Sequence, residues 1–330
     1  MSVGSLSETA AATGRGSVRI GVDVGGTTVH AVAVGPDDVV LAEHRMPTRR
    51  GAEAVVRDIV AAAAAVAPGV AREDAQGASD ALSSRGVVAV GLGVPGLVDR
   101  RTGRVRAAVN LGLDDVALGP LVARGVGVPV VVENDVNAAA LGAARVVGET
   151  DSLALLNVGT GIAAGLVHEG RVVRGANGFA GELGHLPAHP TARPCPCGQR
   201  GCLETVASGM ALSRDWPVAS GHPAVDLLAA VRAGRPRAIE VWTRFVDAVG
   251  LAAQAVATAY DPAVIVLGGG LSALGEPFRD GVCAALDSRA AHSPFLRSMA
   301  VAGRVVLLPA SPPVAPLGAA AVAQVAAAGA

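Results

Sequence analysis

The chain has 330 residues, of which 51% are hydrophobic and 17% charged, so it is long enough to bury a substantial core and to form two domains. Its 27 basic and 28 acidic residues give a formal net charge of −1 without a basic block, which argues against binding to nucleic acid or to an anionic membrane surface. The longest Ala-rich stretches, residues 60–66 and 318–328, are too short to span a bilayer.

Residues 1–17 are small and polar and lack the apolar core of a signal peptide, so we expect a disordered tail. Four cysteines without a secretory signal favour a reducing compartment, and we expect a cytoplasmic protein. Three of the cysteines lie within residues 195–202, a spacing too close for a disulfide framework but suited to a metal site.

Apolar, β-branched runs alternate with Ala-rich runs along the first half of the chain. The former predict strands, and the latter predict helices bounded by capping residues and by Pro-Gly breaks. The predicted elements are strands at residues 18–24, 29–34, 39–45, 87–94 and 128–133, and helices at 52–67 and 134–147. Strands that alternate with helices indicate an α/β fold.

The second half opens like the first, with an apolar strand, a Gly-Thr turn and a second apolar strand, at residues 152–158 and 162–168. This weak internal repeat predicts two domains with a related core. Further on, the sequence predicts a mostly helical stretch at residues 203–256 with breaks near Trp216 and Gly234, strands at 263–267 and 305–309, and a final helix at 317–328.

Three glycine-rich turns follow predicted strands. Residues 23–28 (Asp-Val-Gly-Gly-Thr-Thr) combine an acidic residue, which can hold Mg²⁺ through water, with open backbone N–H groups that can approach a polyphosphate. Residues 159–161 (Gly-Thr-Gly) repeat this context, and residues 268–270 (Gly-Gly-Gly) let a flat ligand lie against the backbone. Each alone is equally well an ordinary glycine turn, and the first lacks the lysine and the spacing of a Walker motif.

A polar segment, residues 133–137 (Glu-Asn-Asp-Val-Asn), lies at a predicted strand-to-helix junction. Asp135 there can accept a proton from a substrate hydroxyl, while Asn134 and Asn137 can orient the groups of a polyol. The alternative interpretation is that Asn134 or Asp135 only caps the following helix.

One histidine and three cysteines form a Cys₃His set typical of a closed structural zinc site: His185, Cys195, Cys197 and Cys202. The alternative is three free thiols beside a core histidine. Glu182 and Glu204 flank the cluster, so a zinc ion would fix two carboxylates that can bind sugar hydroxyls, and His185 could also touch sugar through its second ring nitrogen. The histidines in loop-like segments are interpreted as surface residues: His189, His222 and His292.

Taken in order, these motifs resemble the ROK family of bacterial sugar kinases and sugar-responsive repressors, and within it the glucokinases. The resemblance runs from about Arg19 to the C-terminus and is carried by residues 23–27, 91–99, 133–140, 156–161, 178–185, 195–204 and 266–270. It implies an actin-like ATPase (ribonuclease H-like) fold with two domains around a central cleft. Residues 18–133 and the C-terminal helix at 315–330 would form the smaller domain, and residues 134–314 the larger one with the zinc loop.

The resemblance also implies roles for individual residues. Asp135 matches the catalytic base and contacts the sugar. The other sugar-binding positions are Gly96, Asn110, Asn134, Glu182, His185 and Glu204, and the zinc ligands are His185, Cys195, Cys197 and Cys202. The phosphate loops are Asp23, Gly25, Gly26, Thr27, Thr28, Gly159, Thr160 and Gly161, and the adenosine loop is Gly268, Gly269 and Gly270. The cofactors implied are ATP, catalytic Mg²⁺ and structural Zn²⁺, and the partner is a second copy in a homodimer or homotetramer.

The activity that follows is transfer of the ATP γ-phosphoryl group to the 6-hydroxyl of a hexose, with glucose as the first choice. N-acetylmannosamine, fructose and allose stay open as substrates because pocket residues overlap between these kinases, and a non-catalytic sugar sensor is a further alternative. The adenosine loop disfavours a polyphosphate donor, and the short polar tail disfavours DNA binding. The chain departs from the family pattern at Thr28, where many members carry Lys, and after Asn110, where an aromatic residue is frequent.

Overall fold

The structure is a computed structural model that describes residues 18–69, 82–187 and 193–327. The predicted tail, His189 and residues 328–330 of the predicted final helix lie outside the described residues. The strands, in chain order, are β1 (Val18–Val24), β2 (Thr28–Val34), β3 (Val40–Pro47), β4 (Val87–Val94), β5 (Leu97–Asp99), β6 (Arg104–Ala108), β7 (Leu113–Val116), β8 (Val130–Asn134), β9 (Ser152–Val158), β10 (Ile162–His168), β11 (Arg171–Val172), β12 (Val264–Gly268) and β13 (Val305–Leu307). The α-helices are α1 (Ala52–Val66), α2 (Leu118–Val126), α3 (Asp135–Val147), α4 (Gly209–Asp215), α5 (Pro223–Arg232), α6 (Pro236–Tyr260), α7 (Glu276–Ala290), α8 (Pro294–Met299) and α9 (Val314–Ala327).

Two five-stranded sheets share one topology. The first has the order β3-β2-β1-β4-β8, and the second has the order β11-β10-β9-β12-β13. In each sheet, three antiparallel strands joined by short turns are extended by two parallel strands that arrive through longer connections. The predicted α/β class and the internal repeat are therefore confirmed by the sheet order.

The carboxyl ends of the parallel strands gather the candidate residues at one edge of each sheet. Asp23 of β1 lies in register with Gly93 of β4, and Gly93 lies in register with Glu133 of β8. In the second sheet, Asn157 of β9 lies beside Gly268 of β12. Ligands of open α/β sheets bind outside this edge, so the topology favours a site there.

Helix α9, at the end of the described chain, packs between the first sheet and α3. Glycines permit the close contact, because a β-carbon added at Gly91 would lie 1.8 Å from the Ala319 carbonyl oxygen. One added at Gly318 would lie 1.6 Å from the Ala138 carbonyl oxygen. Side chains larger than hydrogen at these positions would push the helix away from its neighbours. How the chain divides into domains stays a prediction.

Several predicted boundaries need correction. The stretch predicted as mostly helical does not begin as a helix at Leu203, because residues 203–205 form a 3₁₀ turn and α4 begins only at Gly209. Ser208 fixes that start, since its side chain accepts a hydrogen bond from the Ala211 N–H at 3.2 Å. The final helix begins at Val314 and not at Leu317. No α-helix within the described ranges is both long enough and apolar enough to cross a membrane.

Candidate active site

The turn at residues 23–28 is a tight hairpin between β1 and β2. The Gly25 N–H donates to the Thr28 carbonyl at 2.9 Å, and the Thr48 hydroxyl donates to the Gly25 carbonyl at 2.8 Å. Gly26 packs beside Asn110, whose β-carbon would lie 3.1 Å from one added at Gly26. The structure thus brings a phosphate-loop candidate next to a sugar-binding candidate from a distant part of the chain.

Asp23 and Asp135 lie on either side of Gly93. A β-carbon added at Gly93 would lie 3.5 Å from Asp23 Oδ1 and 3.6 Å from Asp135 Cα, so the glycine leaves space between the two acids. Burial raises the pKa of Asp23 to about 7, and the negative charge of Asp135 adds to this shift. Without a cation or a hydrogen-bond donor beside it, Asp23 is therefore only partly ionised at neutral pH.

Asp135 opens α3 and has the environment of a proton acceptor. Burial raises its pKa, although the Val136 N–H lowers it through a 2.9 Å hydrogen bond to the carboxylate. The negative charge of Glu182 raises the pKa further, which means that Glu182, an exposed side chain, lies in the same electrostatic field. A raised pKa makes the ionised carboxylate a better base.

Asn134 is the N-cap of α3. Its Oδ1 accepts hydrogen bonds from the Val136 and Asn137 N–H groups at 3.0 and 3.1 Å. Its Nδ2 donates to the Gly96 carbonyl at 3.3 Å, which ties the helix start to the loop after β4. Asn134 thus fulfils the capping alternative, and Asp135 is left with one carboxylate oxygen that makes no hydrogen bond to any described residue.

Asn137 does not lie where the sequence suggested. It is 5% exposed, and its side-chain amide donates to Glu133 Oε1 at 3.3 Å, so it supports a buried carboxylate and cannot orient a polyol. Glu133 is 2% exposed, and its Oε2 also accepts hydrogen bonds from Arg174 Nε at 2.8 Å and from Arg174 Nη2 at 2.5 Å. This ion pair was not predicted, because Arg174 lies in an irregular segment whose place only the fold determines.

The turn at residues 159–161 anchors the start of α4. The Gly159 carbonyl accepts from the Gly209 N–H at 2.8 Å, and the Thr160 carbonyl accepts from the Met210 N–H at 3.2 Å. A β-carbon at Gly161 would lie 2.3 Å from a Glu204 carboxylate oxygen, which accepts from the Ile162 N–H at 3.2 Å. The second phosphate-loop candidate is therefore in direct contact with the sugar-binding candidate Glu204.

A cavity of about 590 Å³ opens between this turn and residues 268–270. Its size suits a nucleotide-sized ligand. Its lining residues are Asn157, Gly159, Thr160, Gly209, Met210, Leu212, Ser213, His222, Pro223, Ala224, Gly269, Gly270 and Leu271. Sequence reasoning missed those of α4 and α5, for which no spaced motif exists, and interpreted His222 only as a surface residue. His222 is exposed, but it caps α5 by accepting from the Ala224 N–H at 3.3 Å and stands at the cavity.

The four predicted zinc ligands come together in space. One atom from each of His185, Cys195, Cys197 and Cys202 lies within 4.8 Å of the others. The Cys197 and Cys202 sulfurs are 3.6 Å apart, close to the edge of about 3.8 Å that a tetrahedral site with Zn–S bonds of about 2.3 Å would have. The donor set and its spacing fit a tetrahedral metal, and His185 follows Glu182 by one 3₁₀ turn.

The described residues thus include two neighbouring aspartates of raised pKa, two glycine turns and a nucleotide-sized cavity. The molecule's fold of two related sheets is the actin-like ATPase fold, which it shares with solved sugar-kinase structures. The ROK family model matches residues 19–323, and the chain belongs to the ROK family.

Known relatives cover most of the chain. The ROK hexokinase structure from Thermus thermophilus has a TM-score of 0.75 and 32% identity, covering 95% of this chain and all of that one. The ROK glucokinase from Streptomyces griseus, in complex with glucose and AMPPNP, has a TM-score of 0.75 and 29% identity, covering 93% of this chain and 99% of that one. The glucokinase of Halalkalibacterium halodurans is 31% identical over 278 residues, which are 78% of this chain and 81% of that protein.

Proposed function

We propose that this chain, a sugar kinase of the ROK family, transfers the γ-phosphoryl group of ATP to the 6-hydroxyl of glucose. The observation that carries the proposal is the position of Asp135, a half-buried carboxylate of raised pKa that opens α3 beside Asp23. Glucose as the substrate is supported by the glucokinase relatives, one of them in complex with glucose and an ATP analogue.

Asp135 is the proposed general base. Its free carboxylate oxygen would take the proton of the sugar 6-hydroxyl as that oxygen attacks the γ-phosphorus in line. The Val136 N–H holds the other oxygen at 2.9 Å, which fixes the rotamer of the carboxylate. Removing the acceptor would therefore affect the chemical step more than the binding of either substrate.

The phosphates of ATP are assigned to the glycine turns at residues 25–28 and 159–161, with the adenosine in the 590 Å³ cavity beside residues 268–270. The N–H groups of Gly25 and Gly159 are already bonded within their turns at 2.9 Å, so the other backbone N–H groups of the turns would bind the phosphates. Asp23 is the proposed carboxylate for Mg²⁺, which when bound would neutralise phosphate charge. The positive charge would also lower the raised pKa of Asp23 and keep it ionised. Thr28 brings no positive charge to this loop, so Mg²⁺ and the backbone N–H groups would have to stabilise the phosphate charge.

The sugar is assigned to Asp135 and to six further residues. They are Gly96, Asn110, Asn134, Glu182, His185 and Glu204. Three contacts support the assignment: Asn134 with Gly96 at 3.3 Å, Asn110 against Gly26, and Glu204 against Gly161. Each of these pairs joins a sugar candidate to a neighbouring part of the proposed site.

We also propose that the Cys₃His cluster holds a structural zinc ion, because four protein ligands would leave no open position for catalysis. Its role would be to fix the positions of His185 and Glu204 in the sugar site. The segment between His185 and Glu204, which carries the three cysteines, is called the metal loop. The Leu203 N–H donates to the Leu186 carbonyl at 2.9 Å, so the two ends of this loop are already joined.

A substrate panel tests the choice of glucose. ADP production would be measured with Mg²⁺-ATP and glucose, mannose, fructose, N-acetylglucosamine, N-acetylmannosamine or allose. The proposal predicts the highest kcat/KM for glucose and formation of glucose 6-phosphate. A higher kcat/KM for another sugar would identify that sugar as the substrate in place of glucose. Sugar binding without any turnover would favour the sensor alternative.

A further inference from the structure

A second large cavity lies apart from the candidate active site. Its volume is about 640 Å³, and it shares no lining residue with the cavity beside residues 159–161 and 268–270. Leu141 and Val322 give it an apolar wall. Its charged and amide side chains are Arg100, Arg145, Glu169, Arg171, Arg174 and Gln324.

The arginines of this cavity come from both halves of the molecule. Arg100 directly follows β5, which precedes β8 of the first sheet, whereas Arg171 begins β11 of the second sheet. Arg145 lies in the last turn of α3, and Gln324 belongs to α9, which packs against the first sheet. A ligand held by these side chains would contact elements of both sheets.

On the α3 side, positive charge exceeds negative charge. Asp38 is shared between Arg19, at 2.7 Å, and Arg145, at 2.9 Å. The Gln324 Oε1 accepts from both arginines at 3.2 and 3.4 Å but carries no charge. One carboxylate therefore serves two guanidinium groups.

The same imbalance occurs at Glu133. This carboxylate binds Arg174 through two nitrogen atoms, the shorter contact being 2.5 Å, while the Arg100 Nε is 3.8 Å away. That Nε is buried and has no hydrogen-bond partner in the described parts of the chain. The Arg100 side chain is partly exposed and lines the cavity, so its guanidinium can bind a ligand there through nitrogens other than the buried Nε.

Arg171 is exposed and makes no ion pair with any described residue, and Glu169 lies on the same turn. Around the cavity, five guanidinium groups thus meet three carboxylates: Arg19, Arg100, Arg145, Arg171 and Arg174 against Asp38, Glu133 and Glu169. The local excess is two positive charges in a chain with a formal net charge of −1.

We propose that this cavity binds a phosphate-type dianion, either inorganic phosphate or a phosphomonoester. A dianion matches the excess charge, and the planar N–H fork of arginine matches phosphate oxygens. Its oxygens would accept hydrogen bonds from the partly exposed Arg100 guanidinium, and Arg171 would close the site from solvent. The site does not depend on the proposed function, because none of its lining residues belongs to the proposed active site.

The test measures binding with the active site filled. Protein saturated with glucose, Mg²⁺ and a non-hydrolysable ATP analogue, whose phosphates would occupy the glycine turns, is titrated with sodium phosphate and separately with glucose 6-phosphate at constant ionic strength. Binding is followed as the rise in Tm and by calorimetry. We expect a saturable rise in Tm with at least one of the two anions and none with sodium chloride.

Arginine variants locate the binding. Arg171→Gln removes an exposed guanidinium that has no ion pair with any described residue, so it should not affect folding. It should raise the Kd for the anion about tenfold. Arg100→Gln should raise this Kd similarly. Arg232→Gln, an exposed arginine at the end of α5 without an ion pair to any described residue, is the matched control and should bind like the wild type.

Two results would overturn the proposal: no saturable response of the wild type to either anion, or equal responses of the wild type and Arg171→Gln. Tighter binding of glucose 6-phosphate than of phosphate would assign the site to phosphomonoesters. The reverse order would assign it to inorganic phosphate.

Discussion

Asp23 and Asp135 are close enough for the charge of one to raise the pKa of the other. The sequence pattern of residues 23–28 marked Asp23 as a candidate functional residue, and that of residues 133–137 marked Asp135. That the two acids meet could not be predicted, because it depends on the parallel register of β1, β4 and β8. Gly93, the residue that leaves space between them, carries no signal of that role in the sequence.

The raised pKa of Asp23 predicts how stability depends on pH. In the ligand-free folded state this pKa is about 7, whereas its ordinary value is 3.8, so the folded state binds the proton more tightly than the unfolded state. The stabilisation from that proton is fully present below pH of about 4 and is lost as pH rises through about 7. Asp23→Asn carries no charge, and its free energy of unfolding relative to wild type should therefore rise between pH 5 and pH 8, by up to about 3 kcal/mol.

Urea unfolding of the ligand-free proteins at several pH values measures this difference. Asp287→Asn, at an exposed carboxylate of α7, is the matched control and should show no such trend. If the stability of Asp23→Asn relative to wild type does not rise from pH 5 to pH 8, the electrostatic account of the aspartate pair is wrong. Activity with Mg²⁺-ATP should fall in Asp23→Asn even where stability rises, since the proposed Mg²⁺ ligand is lost.

Secondary structure could be predicted where the sequence pattern is strong. Four strands, β1, β4, β9 and β10, begin and end at the predicted residues, because each is a run of apolar residues that the core buries. The three-stranded sheet of β5, β6 and β7 was missed because its strands are short and partly exposed. Helix α2 was missed because glycines and a proline weaken its helical signal.

Helix α7 was also not among the predicted elements, although its sequence has a helical pattern of apolar residues. Its buried residues Phe278, Val282 and Leu286 recur every four positions, which is the spacing of one helix face. The prediction of a helical stretch from Leu203 was wrong at its start, because residues 203–205 form a 3₁₀ turn. The periodicity of apolar residues says nothing about such a turn.

The metal loop makes a prediction of its own. Protein purified without added zinc should contain about one zinc ion per chain, because a closed Cys₃His site binds zinc tightly. Cys197→Ala should lose the metal and should lower sugar affinity, because His185 and Glu204 would no longer be held together. Elemental analysis and calorimetry with glucose measure the two effects.

Cys283→Ala is the matched control, since Cys283 lies in α7 outside the cluster. It should keep the metal and bind sugar as the wild type does. Absence of zinc from the wild type, or unchanged zinc content in Cys197→Ala, would contradict the assignment of the cluster as a zinc site.

At the scale of the whole molecule, the duplicated topology was visible in the sequence as a repeated strand, Gly-Thr turn and strand. The surfaces formed by distant elements were not visible. The cavity beside residues 159–161 takes its walls from α4 and α5, and the arginine-lined cavity draws on α3, α9 and the segments after β5 and β10. Tertiary packing alone brings these side chains together, and no local pattern encodes it.

The most direct test of the account is the turnover of Asp135→Asn beside its affinity for glucose. Asparagine keeps the size of the side chain but cannot accept the proton, so kcat should fall about a thousandfold while the Kd for glucose, measured by calorimetry, changes by no more than about threefold. Asp287→Asn should retain both values. A kcat near that of the wild type in Asp135→Asn would contradict the assignment of Asp135 as the base and with it the proposed mechanism.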